Sequence, residues 1–236
     1  MAATRPDHTG NQILDALSPE ELRALRPHLE PFELVIRDVL MERGDPVKRV
    51  FFPTEGFISL VSVMEDGSSV EMATIGPEGM VCVPTVLGAA GGMNCDAIGQ
   101  MPGHALVMDT GIFLERAQTE GRFRELIDSF THSLFVMVSQ NAACNRLHSM
   151  NERACRWLLM ARDRSKGDVF PLTHEFLAQM LGVRRASVSE AAEALQASGT
   201  ISYRRGIVTI HDRERLEEMA CECYGIIRDA FDGAYD

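Results

Sequence analysis

The residues best equipped for chemistry lie in one run near the carboxyl end, residues 172–195 (LTHEFLAQMLGVRRASVSEAAEAL), and in the ISYRRGIVTI that starts at Ile201. Arg184 and Arg185 carry guanidinium forks that match the paired acceptors of a phosphate or of a guanine edge. Ser187 and Ser189 add hydroxyls, and Glu190 adds a carboxylate able to accept from cytosine N4. Arg204 and Arg205 put two further cations at a turn, where a hairpin can meet phosphates. Thr173 and His174 stand at the head of the run, within reach of the same phosphates. This is recognition chemistry. No Ser/His/Asp order, paired-carboxylate site or metal-spaced His/Cys set is present, so an enzyme is not expected, and neither is a cofactor or a metal.

The elements that must position these groups follow from periodicity. Phe176, Leu177, Met180 and Leu181 recur at helical spacing behind Thr173, a good N-cap. Gly182 can take the left-handed conformation that ends this helix, and Val183 plugs the corner. A second helix begins at about Arg184, burying Val188, Ala191, Ala192 and Leu195 and leaving Arg185, Ala186, Ser189, Glu190 and Glu193 open. Two β-prone runs joined by Arg204-Arg205-Gly206 make a hairpin wing. The pattern is a winged helix-turn-helix.

The chain has 236 residues and a net charge of −11, enough length for two modest domains. The acidic total argues against a nucleic-acid partner, yet the charge is uneven. Between Glu152 and Arg215 eleven Lys and Arg face eight Asp and Glu, while the remainder is acidic. That mild excess suits a selective binder whose acidic part limits idle association with DNA. There is no apolar run of membrane-spanning length and no signal-like amino terminus, so a cytoplasmic protein without a membrane partner is expected. The cysteines Cys82, Cys95, Cys144, Cys155, Cys221 and Cys223 show no CxxC and no repeating spacing, and read as free thiols, many buried. A thiol switch at Cys144, Cys155 or Cys95 stays open.

Taken in order, about ten polar residues read as disordered, a short helix follows at 11–17, and Ser18-Pro19-Glu20-Glu21 opens another with a capping box. From Phe32 to Asp109 the period becomes two, with strands expected at 32–41, 49–53, 56–64, 69–75, 94–101 and 104–109, joined by glycine turns. These make a small β-barrel or roll, interrupted at 78–92 by a helical turn near 81–87. A long helix over 122–148 keeps an apolar seam of Phe123, Leu126, Ile127, Phe130, Leu134, Met137, Val138, Ala142 and Leu147. A seam of that length suggests a partner helix across a two-fold axis. A new N-cap at Ser149–Asn151 precedes a helix over 152–164, and a last helix covers 213–230 behind Asp212.

The order of a β-roll, a long helix and a winged helix-turn-helix resembles the CRP/FNR superfamily of bacterial transcription regulators. The resemblance is strongest over LTHEFLAQMLGVRRASVSEAAEAL and ISYRRGIVTI and weaker over FPTEGFISLV and EDGSSVEMATIGPEG. It implies an α+β chain with a cyclic-nucleotide-binding-like β-roll at 1–118, a dimerisation helix at 119–148 and a winged helix-turn-helix DNA-binding domain at 149–236. It also implies a homodimer that reads a palindromic operator in double-stranded DNA, acts on RNA polymerase, and senses an effector through the roll.

Departures from the family are informative. Its recognition helix commonly reads Ser-Arg-Glu-Thr-Val and then a further Arg. Here the matching positions are Arg184, Arg185, Ala186, Ser187, Val188 and Glu190. The resemblance thus keeps the guanine-reading arginine at Arg185 and the phosphate-contacting hydroxyl at Ser187. It loses the acidic base contact at Ala186 and reverses a charge at Glu190, so a palindrome unlike the family's common one is expected. The effector pocket would fall near Glu78, Gly79, Asn94 and Cys95. Cyclic-nucleotide-binding members hold the cyclic phosphate with an arginine, and this chain has none between Arg49 and Arg116. Cyclic AMP is therefore not the expected small-molecule effector, which stays unknown. No cysteine precedes Cys82, so the amino-terminal cysteine cluster of iron–sulfur sensing members has no counterpart. The competing expectation is a winged-helix adaptor that binds protein and no longer reads DNA, which would not need cations in both the second helix and the wing.

Overall fold

The computed structural model describes residues 8–88, 92–119, 121–165 and 167–235. In chain order the elements are α1 (Gln12–Asp15), α2 (Pro19–Leu25), β1 (Glu30–Leu34), β2 (Val39–Met41), β3 (Arg49–Val63), β4 (Ser69–Ile75), α3 (Val83–Val86), β5 (Asp96–Asp109) and α4 (Thr110–Ala117). Then come α5 (Arg122–Leu147), α6 (Met150–Arg164), β6 (Val169–Pro171), α7 (His174–Leu181), α8 (Arg185–Ala197), β7 (Ile201–Arg204), β8 (Ile207–Ile210), α9 (Arg213–Met219) and α10 (Cys223–Asp232). Two compact units divide the chain: residues 1–60, 74–135 and 231–236 form one, and 61–73 with 136–230 form the other. Strand β3 and helix α5 each contribute to both.

In the first unit, local chemistry acts as its sequence suggests. The Ser18 hydroxyl accepts from the Glu21 N–H at 3.2 Å while the Glu21 carboxylate accepts from the Ser18 N–H at 3.1 Å, so α2 opens on a full capping box. The start of the chain is a correction. Residues 1–7 of the expected disordered stretch lie outside the described residues, but Thr9 and Gly10 donate backbone N–H groups to the Asp15 carboxylate at 2.7 and 3.2 Å.

The strands of the roll order as β1-β5-β3-β4, with β2 also on β5. Their boundaries differ from the expected ones for a physical reason. Pro102-Gly103 is not a turn, and no break precedes Gly56. A side chain at Gly56 would lie 2.6 Å from the Met101 carbonyl, and one at Gly103 2.2 Å from the Glu55 carbonyl. These glycines let two backbones pass closely inside continuous strands, so the four expected strands at 49–53, 56–64, 94–101 and 104–109 are two long ones. Conversely, Arg37 adopts φ 68° and breaks the expected strand 32–41 into β1 and β2.

The core of this unit is aromatic. Phe52 and Phe113 lie 6.3 Å apart between centroids, Phe113 and Phe123 5.8 Å, and Phe130 and Phe231 6.1 Å. The apolar seam of α5 is thereby redistributed. Phe123, Leu126, Ile127, Phe130, Leu134 and Met137 are all buried within this single chain, Leu134 being the most open of them at 7 % exposure. Of the expected seam Val138 is open at 37 % and Leu147 at 74 %, Ala142 is exposed as well, and they are joined by Phe135 at 71 %. A periodic apolar stripe reports burial without naming the surface that covers it.

In the second unit, α6 starts on another capping box, Ser149 with Glu152, two residues earlier than expected. The expected helix at 213–230 is two, α9 and α10, separated by a break at Cys221. Strand β6, for which three residues gave too short a pattern, joins a sheet of order β6-β8-β7. The tip of the β3–β4 hairpin belongs to this unit. There the Trp157 indole donates to the Glu71 carboxylate at 2.9 Å, and the Asn141 amide donates to the Met72 carbonyl at 2.7 Å.

Candidate nucleic-acid interface

Helix α7 begins where Thr173 accepts from the Phe176 N–H at 3.2 Å and ends at Gly182 in the left-handed region, φ 62°, ψ 40°. The Val183 N–H returns to the Ala178 carbonyl at 3.0 Å, and this tight turn sets α8 across α7. Val188, Ala191, Ala192 and Leu195 are buried against it, as their spacing requires. The face left open on α8 carries Arg185, Ala186, Glu190 and Glu193.

The start of α8 has an electrostatic feature that residue spacing could not show. Its N-cap is Arg184, whose side chain makes no capping bond, so the first N–H groups of a 13-residue helix lack a side-chain acceptor. Such an end attracts anions through its dipole and its orphan donors. Arg184 and Arg185 flank it and are exposed. The Arg185 guanidinium has the Glu175 carboxylate at 3.9 Å, both side chains largely in solvent. Among the described ion pairs the carboxylate beside Arg185 is thus Glu175; Glu190 stays exposed. Ser187 is half-buried in the first turn.

His174 and Ser189 face each other. The imidazole Nδ1 lies 2.9 Å from the Ser189 hydroxyl, which also donates to the Arg185 carbonyl at 3.2 Å. The ring sits 4.4 Å from that of Tyr203, and its Nε2 is buried without a partner among the described residues. Burial first, and the Arg185 charge second, hold this imidazole below its usual pKa. His174 therefore ties α7, α8 and the wing together.

The wing is a two-residue hairpin. Arg205 and Gly206 both have positive φ, 51° and 78°, as a type I′ turn demands, and β7 and β8 pair through Arg204↔Ile207. Arg204 is the last strand residue, not part of the turn as expected; both arginines are exposed. The Leu172 N–H donates to the Gly206 carbonyl at 2.8 Å, and the Tyr203 hydroxyl donates to the Leu172 carbonyl, so the wing tip is fastened beside Thr173.

The positive excess of this region is smaller at the surface than in the sequence. Arg153 and Arg156 are buried; one donates to Asn145 and to the Leu181 carbonyl, the other to Asn141. Arg162 pairs with Asp168 at 2.6 Å and Arg213 with Asp163 at 3.1 Å. Lys166 lies outside the described residues. Among the described residues Arg184, Arg204 and Arg205 show no such ion pair, and Arg185 has the exposed Glu175.

Of the four residues expected to line an effector pocket in the first unit, Glu78, Gly79 and Cys95 are buried. Glu78 is buried, its carboxylate accepting from the Gly76 N–H at 3.0 Å. The Phe130 ring lies directly over Gly79, where a Cβ would be 2.2 Å from its Cε2. Cys95 is buried, its thiol pushed up to about 11 by burial and then by the Asp96 charge, while Asn94 is exposed. Among the described residues one open cleft of the roll, about 480 Å³, is lined by Phe32, Val39, Met41, Lys48, Arg49 and Phe51 among others.

All six cysteines are buried free thiols, as expected, but they are not scattered in space. Cys144, Cys221 and Cys223 form one cluster with His148 beside it. The sequence signal was a Cys-x-x-x-His and a Cys-x-Cys, each unremarkable alone and separated by more than seventy residues.

Comparison with known proteins agrees with this architecture. Residues 33–120 match the cyclic nucleotide-binding domain family model, and residues 152–219 match that of the Crp-like helix-turn-helix domain. Similar solved structures include FixK2 from Bradyrhizobium japonicum, at 14% identity and TM-score 0.69 over 82% of this chain and 98% of that one. The c-di-GMP-responsive global regulator CLP of Xanthomonas campestris is similar at 15% identity and TM-score 0.66 over 82% and 99%. A CRP/FNR-family transcriptional regulator from Thermus thermophilus follows at 17% identity and TM-score 0.66 over 81% and 98%. No curated protein sequence matches. Between them the two family models cover well over half of the sequence, in the order of the superfamily, and the chain belongs to the CRP/FNR superfamily of transcription regulators.

Proposed function

We propose that this regulator works in the cytoplasm as a homodimer that binds a palindromic promoter site in double-stranded DNA and there acts on RNA polymerase. One α8 enters each of two major-groove faces a helical turn apart, and each wing rests on the flanking backbone. The observation that carries the reading is the set of exposed guanidinium groups, Arg184 and Arg185 at the uncapped start of α8 and Arg204 and Arg205 on the wing. An adaptor surface would have no use for cations at both places. Arg185 takes the guanine edge. Arg184, Ser187, Arg204, Arg205 and the amides of α8 take phosphates, with Thr173 beside the wing tip. Ala186 offers no hydrogen bond and Glu190 favours cytosine N4, so the half-site differs from the family's common one.

Dimerisation is supported by Phe135 and Val138, which with Ala142 form one exposed apolar face of α5 at i, i+3 and i+7. Control comes from the roll through an effector other than cyclic AMP. The stretch 50–115 supplies no Lys or Arg to an anionic phosphate, and Phe130 fills the space over Gly79. Selection from random DNA is expected to return a palindrome bound by the wild type and lost in Arg185→Ala. Recovery of the family's common half-site, or an Arg185→Ala variant that binds as before, refutes the proposed contacts. Calorimetry is expected to show no tight binding of cyclic AMP, and the opposite result overturns that exclusion.

A further inference from the structure

The Cys144, His148, Cys221 and Cys223 side chains converge inside the second unit. One ligand atom from each, three Sγ and an imidazole nitrogen, all lie within 4.8 Å of one another. Cys144 and His148 are one turn apart near the end of α5, and Cys221 and Cys223 bracket the start of α10. The Cys144 and Cys221 sulfurs are 3.5 Å apart, and the Cys223 sulfur is 3.4 Å from His148 Nδ1. A tetrahedral zinc site with Zn–S bonds of about 2.3 Å has ligand-to-ligand edges of roughly 3.8 Å, so these four atoms already stand close to the corners of such a site. We propose that this chain carries a structural tetrahedral Cys₃His site for a thiophilic divalent cation of the zinc class, clipping the end of α5 to the start of α10.

The surroundings are those of a metal site. His148 turns Nδ1 to the sulfurs, and its Nε2 lies 3.1 Å from the Glu222 carboxylate, the outer carboxylate that fixes the tautomer of a ligating histidine. The Gln140 amide points an N–H at the Cys223 sulfur from 3.2 Å. Three thiolates around a dication leave one net negative charge, and the buried Arg156 guanidinium lies close enough to act on Cys144. Binding releases the thiol protons to solvent as the cation takes their place. With all three sulfurs buried the site is closed, the mark of a structural and not a catalytic ion.

The test uses the full chain, reduced and stripped with a chelator, then titrated with Zn²⁺ against a chromophoric competitor and separately with Co²⁺. One equivalent of Zn²⁺ per chain is expected, with release of protons. The Co²⁺ form should show sulfur-to-metal charge-transfer absorption and the intense visible bands of tetrahedral coordination. Cys223→Ser should weaken binding by more than about a hundredfold and Glu222→Gln by about tenfold, while Cys95→Ser and Cys155→Ser leave it unchanged. Wild-type titration needs no variant to fold, and circular dichroism separates loss of metal from loss of fold in the variants. The proposal is overturned by substoichiometric binding, by a Co²⁺ spectrum without charge transfer, by unchanged affinity in Cys223→Ser, or by a Cys144–Cys221 disulfide as the only chemistry the cluster performs.

Discussion

The clearest handle on DNA recognition is its salt dependence, because the cations involved can be removed without touching the fold. Arg205 sits at φ 51° in the first position of the wing turn and is exposed. Arginine already bears the left-handed strain of that position, asparagine accepts the conformation more readily and Asn-Gly is a preferred type I′ pair, so Arg205→Asn removes the charge and keeps the turn. If Arg184, Arg204 and Arg205 each neutralise one phosphate and Arg185 reads a base, a homodimer covers about six phosphates and log affinity falls against log salt with a slope of about −5. Raising salt from about 50 to 200 mM then weakens binding roughly a thousandfold. Arg205→Asn leaves about four phosphates, a slope of about −3.6 and a loss of roughly 150-fold over the same range. Arg185→Ala behaves differently. It costs about 1–3 kcal/mol, relaxes preference at one base pair of each half-site, and leaves the slope unchanged. Its ion pair with Glu175 is long and solvent-exposed, so stability should change by less than about 0.5 kcal/mol. Fluorescence anisotropy on the selected site at several salt concentrations measures both. An unchanged slope in Arg205→Asn, or a changed slope with intact sequence preference in Arg185→Ala, refutes the assignment of wing to phosphate and helix to base.

Three further outcomes are expected. Gly182→Ala places a side chain at φ 62° and brings its Cβ to 3.1 Å from Val70 Cγ2, so it should cost about 1–2 kcal/mol, read as a lower melting temperature, while asparagine should cost less. His174 has a depressed pKa in the folded chain, so the neutral ring is favoured; its contribution is complete above the ordinary value near 6.5 and declines as pH falls through the lower folded value. Denaturant titrations of wild type and His174→Asn from neutral to mildly acidic pH should therefore show the difference between them shrinking on acidification, and a constant difference would remove His174 from the balance. Phe135→Glu alters a side chain 71 % exposed in the single chain, so it should leave the fold intact and shift sedimentation from dimer to monomer. A dimer that survives places the two-fold contact elsewhere.

What the sequence determined by itself was local. Thr173, Gly182 and the 3.6-residue spacing of Val188, Ala191, Ala192 and Leu195 act within a dozen residues, and the chain forms the helix-turn-helix those residues describe. The capping box at Ser18 is legible for the same reason, since both partners of each bond lie three residues apart, whereas at Ser149 an N-cap was legible but its box with Glu152 was not. Tertiary structure decided everything that depends on which distant surface a residue meets. An apolar stripe on α5 announced burial, but only the aromatic core of the roll shows that Phe123 and Phe130 serve this chain and that Phe135 and Val138 are left open. Pro102-Gly103 looked like a turn and Gly56 like the start of a strand until the carbonyls that crowd both glycines were in place. Charge counted along the chain overstated the basic surface, since Arg153 and Arg156 are turned inward. The convergence of Cys144 and His148 with Cys221 and Cys223 has no local signature, because it is created only when the end of α5 and the start of α10 are packed together.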